Sequence, residues 1–106
     1  MEKFRLIYID DNIDYSLTAY LRNTFGNTDI EYDERQFKNT ETYNDLLKDN
    51  LVKLANIILI DSKLFENRNV GNKKFTGEEF QILVAKIYPY KKVFVISQNE
   101  DVNGVG

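Results

Sequence analysis

The sequence predicts an α/β domain with a mainly parallel sheet. Short apolar runs alternate with stretches of helical periodicity. The runs Ile57 to Ile60 and Val93 to Ile96 lack polar alternation, as expected of strands covered on both faces. Three of the runs stop at a polar side chain: Asp10, Asp61 and Ser97.

Phe4 to Ile9 reads as the first strand, entering the polar turn Asp10, Asp11, Asn12. Ile13, Leu17, Tyr20, Leu21 and Phe25 then recur at helical spacing, and Gly26 with Asn27 predicts a left-handed stop. Ile30 and Tyr32, alternating with acids, give a second strand. Thr40 is the expected cap of a helix carrying Tyr43, Leu46, Leu47 and Leu51. The third strand is Ile57 to Ile60, and residues 62 to 75 read as one long connection. Thr76 with Glu78 and Glu79 predicts a capped helix whose apolar face is Phe80, Leu83, Val84 and Ile87, ending before Pro89. Val93 to Ile96 is the fourth strand. The aromatic side chains at helical spacing are expected in the core or half-buried, and Lys73, Lys74, Lys91 and Lys92 as solvated surface charges.

Composition narrows the function. At 106 residues the chain suits a single domain, and no apolar run is long enough to cross a bilayer. With no secretion signal pattern either, a cytoplasmic address and no membrane partner are expected. The 17 acids outnumber the 14 bases, and no basic stripe is present, which argues against direct nucleic-acid binding. Cysteine and histidine are both absent, removing thiolate and imidazole chemistry. No glycine-rich phosphate loop follows the first strand, which disfavours a nucleotide-binding enzyme.

If the first and third strands are neighbours, Asp10, Asp11 and Asp61 converge from two strand ends, and their mutual repulsion calls for a hard cation such as Mg²⁺. A carboxylate beside such an ion can accept a phosphoryl group. Asp61 is the better acceptor candidate because it ends the most apolar strand, and Ser97 is placed to hydrogen-bond a phosphoryl oxygen.

At these residues the chain resembles the receiver domains of two-component response regulators. Leu6-Ile7-Tyr8-Ile9-Asp10-Asp11-Asn12 is similar to their first strand and acidic pair, and Ile57-Ile58-Leu59-Ile60-Asp61 to their phosphoacceptor strand. Thr76-Gly77-Glu78-Glu79-Phe80 resembles the start of their third helix, and Val93-Phe94-Val95-Ile96-Ser97 the strand bearing their switch hydroxyl. The resemblance implies a flavodoxin-like, doubly wound sheet of order 2-1-3-4 with the fifth strand missing, so that residues 1–106 form a receiver domain incomplete at its C-terminal end. It implies Mg²⁺ held by Asp10, Asp11, Asp61 and the backbone carbonyl of Lys63, with Asp61 as phosphoacceptor and Ser97 as switch hydroxyl. The partner would be a sensor histidine kinase or a phosphotransfer protein, and the domain would be a signalling acceptor rather than an enzyme. An exposed fourth strand would also favour a homodimer.

The chain departs from the family pattern in places. Ser62-Lys63-Leu64-Phe65 lacks the usual methionine-proline, Gln98 stands where a small residue is common, and the family's lysine would lie beyond Gly106. These departures motivate a second expectation, a pseudo-receiver that works as an interaction module without phosphorylation.

Overall fold

The computed structural model describes residues 4–38, 40–64 and 75–97. The expectations for Gln98, Lys73 and Lys74 lie outside the described residues. The elements run β1 (Phe4–Asp10), α1 (Tyr15–Phe25), β2 (Ile30–Gln36), α2 (Tyr43–Lys48), α3 (Asn50–Leu54), β3 (Ile57–Asp61), β4 (Lys63–Leu64), β5 (Phe75–Thr76), α4 (Gly77–Ile87) and β6 (Lys92–Ile96). The main sheet has four parallel strands in the order β2-β1-β3-β6. That is the expected order, with β6 as the predicted fourth strand.

Strand parity sorts the side chains onto two faces. Ile7, Ile9, Ile58 and Ile60 are all fully buried on one face, in a core with Leu46 of α2, Val52 of α3, and Phe80 and Val84 of α4. On the other face Leu6 and Tyr8 are buried, and α1 contributes the buried Thr18 and Leu21. Ion pairs mark the same division. Arg22 of α1 reaches Glu34 on the face of Tyr8, whereas the adjacent Arg35 turns to Glu41 and to Asp49 between α2 and α3. The sheet is thus covered by helices on both faces, with α1 alone on one of them among the described residues. Cover on the α1 face thins toward β6: Leu59 is half-buried, and Phe94, its register partner, is 53% exposed.

Several sequence expectations are corrected. Gly26, expected in a left-handed stop of α1, is right-handed, with φ −61° and ψ −28°. Thr42, not Thr40, caps α2, with its backbone N–H donating to Asp45 at 2.8 Å. The expected continuous helix through Leu51 is split at Asp49, whose extended backbone ends α2 while its carboxylate accepts from Leu51 N and starts α3. Tyr20 is exposed rather than core, as is Ile87. The connection after β3 has structure at its base, where Lys63–Leu64 pairs antiparallel with Phe75–Thr76. Lys91 is not a surface charge: it is 8% exposed, and its ammonium donates to the carbonyls of Lys53 and Ala55 at the end of α3. Burial lowers its pKa.

Candidate functional site at the carboxyl ends of the strands

Strands β1 and β3 are adjacent and in register from Leu6↔Ile57 to Ile9↔Ile60, so their carboxyl ends deliver Asp10 and Asp61 side by side. Both lie on the α1 face by parity, and Asp11 follows in the turn. Carboxylate oxygens of Asp10, Asp11 and Asp61 all lie within 4.8 Å of one another. The order β2-β1-β3-β6 makes this the point where the connections leaving β1 and β3 depart in opposite directions, the usual place for a site in a parallel sheet.

The carboxylates are held differently. Asp10 is 2% exposed; its Oδ1 accepts from Asn12 N at 3.1 Å, and its Oδ2 accepts from the Tyr8 hydroxyl. Asp11 is half-buried, and its backbone carbonyl accepts from Gln36 Nε2 at 3.2 Å, which ties the turn to the end of β2. Asp61 is 9% exposed. Burial, with Asp10 and Asp11 beside it, pushes its carboxyl up to about 7 against the opposing pull of the Lys63 and Ser62 backbone N–H groups.

The segment after Asp61 is closely packed. Ser62 N donates to Ile96 O, Gly77 N donates to Ser62 O, and the Ser62 hydroxyl donates to Glu78 in the first turn of α4. A Cβ on Gly77 would stand 2.5 Å from the Asp61 carbonyl oxygen, so only glycine permits this approach of α4 to the end of β3. Thr76 caps α4 as expected, accepting from Glu79 N. The Tyr43 hydroxyl accepts from Thr76 N at 2.8 Å and donates to Glu79, fastening α2 to the same cap.

The structure therefore brings together the three acids singled out in the sequence. Ser97 follows Ile96, the register partner of Asp61, and is exposed at the same end of the sheet. Lys63 lies opposite Thr76 in β4, with its N–H toward Asp61 and its side chain exposed. Sequence reasoning missed Tyr8, Ser62, Glu78 and Tyr43. For Tyr8 a signal existed: it is two residues before Asp10 on one strand and hence shares its face.

Three carboxylates with no nitrogen or sulfur donor beside them form an oxygen-only donor set, which suits Mg²⁺ or another hard divalent ion. The raised pKa of Asp61 comes first from its burial and then from the Asp10 and Asp11 charges, a cost that either a proton or a cation relieves. Comparison with protein-family models, curated proteins and solved structures gave no match.

Proposed function

We propose that the chain is a receiver domain of flavodoxin-like, doubly wound topology, in which Asp61 accepts a phosphoryl group in the presence of Mg²⁺. The observation that carries this reading is the convergence of Asp10, Asp11 and Asp61 at the ends of adjacent parallel strands. An Asp61 carboxylate oxygen attacks phosphorus in line with the bond to the donor; that bond breaks, and its electron pair leaves with the donor. Asp10, Asp11, Asp61 and the Lys63 carbonyl would hold Mg²⁺, which would supply charge neutralisation for the transferring oxygens. The Lys63 backbone N–H lies toward the Asp61 carboxylate and favours its ionised form. Ser97, at the end of β6, is assigned as the hydroxyl that meets the added phosphoryl group. The donor partner is a sensor histidine kinase or phosphotransfer protein.

Incubation with acetyl phosphate and Mg²⁺, followed by intact-mass analysis, tests the reading. A single phosphoryl adduct is expected in the wild type and none in Asp61→Asn. Calorimetric titration with Mg²⁺ tests the metal site separately, and unchanged affinity in Asp11→Ala would contradict it.

The pseudo-receiver reading has its own support. The β4–β5 ladder and the Ser62–Glu78 hydrogen bonds hold the segment beside Asp61 in place, a rigid feature suited to partner docking. No adduct with either a kinase or acetyl phosphate would favour it.

A further inference from the structure

We propose that Tyr8 is a positioning residue for the acidic site, linking the Asp10 carboxylate to the start of α1. This rests on the reading of Asp10, Asp11 and Asp61 as a divalent-cation site. Tyr8 lies in the middle of β1 with zero exposure, and strand parity sends its ring along the same face as Asp10. Its hydroxyl donates to Asp10 Oδ2 and accepts from the Asp14 backbone N–H at 3.3 Å. Asp14 is the N-cap of α1, its carboxylate accepting from Ser16 N and Leu17 N. One phenol thus joins a site carboxylate to the first turn of a helix.

The hydroxyl has a definite job in this arrangement. An Asp side chain turns about two bonds, and Asp10 is fixed by donors on both oxygens, Asn12 N on one and Tyr8 on the other. The Asn12 bond belongs to the turn itself. The Tyr8 bond comes from the buried strand, so it fixes the carboxylate relative to the sheet that also carries Asp61. A carboxylate held in this way binds a cation with less ordering to supply, and loss of such an outer partner commonly weakens metal affinity 10- to 100-fold. The second hydrogen bond of the phenol carries the consequence outward, because any shift of Asp10 on cation binding moves the oxygen that receives Asp14 N at the helix start.

The test is Tyr8→Phe, which keeps the ring and removes only the hydroxyl. Wild-type protein and variant are titrated with Mg²⁺ by calorimetry, with circular dichroism confirming the fold, and Asp11→Ala is titrated in parallel. The expected result is a loss of about tenfold or more in Mg²⁺ affinity in Tyr8→Phe. Affinity equal to or tighter than the wild type overturns the proposal while leaving the cation site standing. Absence of Mg²⁺ binding in the wild type removes the site reading and the proposal with it. A second measurement needs no variant. In protein carrying ¹³C-labelled tyrosine rings, Tyr8 is identified as the tyrosine protected from a soluble nitroxide, since it is the one fully buried tyrosine of the seven. Mg²⁺ must shift its resonances, and a Tyr8 signal unmoved at saturating Mg²⁺ refutes the coupling even if Tyr8→Phe does not fold.

Discussion

Replacing Asp61 by Asn should stabilise the metal-free protein, although it removes the proposed acceptor. The carboxyl group titrates near 7 in the folded chain against an ordinary value of 3.8, because burial and the Asp10 and Asp11 charges disfavour its ionised form. Between those two pH values the unfolded chain has released the proton and the folded chain still holds it, so stability falls as pH rises through the window and levels off above about 7. At about 1.4 kcal/mol per pH unit the full gap amounts to about 4 kcal/mol. Asn avoids that cost, and the opposing pull of the Lys63 and Ser62 backbone N–H groups is already contained in the value of about 7. The expectation is a gain of at most about 4 kcal/mol at pH 8 in EDTA, shrinking to less than half of that at pH 5. Mg²⁺ should narrow the difference, since ligand at 100 times its Kd stabilises the wild type by about 2.7 kcal/mol and the variant by less. Urea denaturation at pH 5, 6.5 and 8, with EDTA or Mg²⁺, measures all of this. A variant less stable than wild type at pH 8 in EDTA, or a difference that does not change with pH, would refute the electrostatic reasoning.

Three further outcomes are expected. Glu41 is held down to about 2, first by the Arg35 hydrogen bonds and then by Lys38 N, so the stability from this pair is present above its ordinary 4.5 and is lost as pH falls toward 2. Arg35→Ala should therefore cost about 2 kcal/mol at pH 7 and much less at pH 3 by chemical denaturation, and an equal cost at both would contradict the pairing. Gly77→Ala forces a methyl group against the Asp61 carbonyl; thermal melts should show a loss of about 1–3 kcal/mol, with slower phosphoryl uptake, and a neutral substitution would mean that α4 stands farther from β3. Lys92 N and Ile96 O face β3, so Val93 and Val95 turn their backbone groups to the outer edge of β6, where, among the described residues, Gln81 Nε2 takes the Val93 carbonyl. Light scattering should show concentration-dependent association suppressed by Phe94→Lys, and a monomer at every concentration would count against the edge as an interface.

The main features of the fold were legible where one physical signal dominated. The unbroken apolar run at Ile57 marked a strand covered on both faces, and the acids at strand ends marked a site wherever β1 and β3 are neighbours; the strand order itself came from the family resemblance, and the structure has that order and brings Asp10, Asp11 and Asp61 together. Thr76 was legible as a cap because its hydroxyl and the acids after it follow a local rule. Asp49 was not, since a residue that stops one helix and starts the next leaves the apolar periodicity unbroken across the division. The β4–β5 ladder has two residues per strand, too few to show a period. Lys91 read as a surface charge because sequence cannot reveal that two carbonyls at the end of α3 await it. Tyr8 read as a residue of the first strand, which it is; only the structure shows that its hydroxyl donates to Asp10.

The most direct test of the central claim is chemical trapping of the acyl phosphate. Protein treated with acetyl phosphate and Mg²⁺ is reduced with borohydride, which converts a phosphorylated aspartate to homoserine, and the product is mapped by peptide mass spectrometry. Homoserine at position 61 alone, dependent on Mg²⁺ and strongly reduced in Asp11→Ala, is the predicted result. Unmodified Asp61 in protein shown to be folded and to bind Mg²⁺, or homoserine at another aspartate, would contradict the assignment of Asp61 as phosphoacceptor.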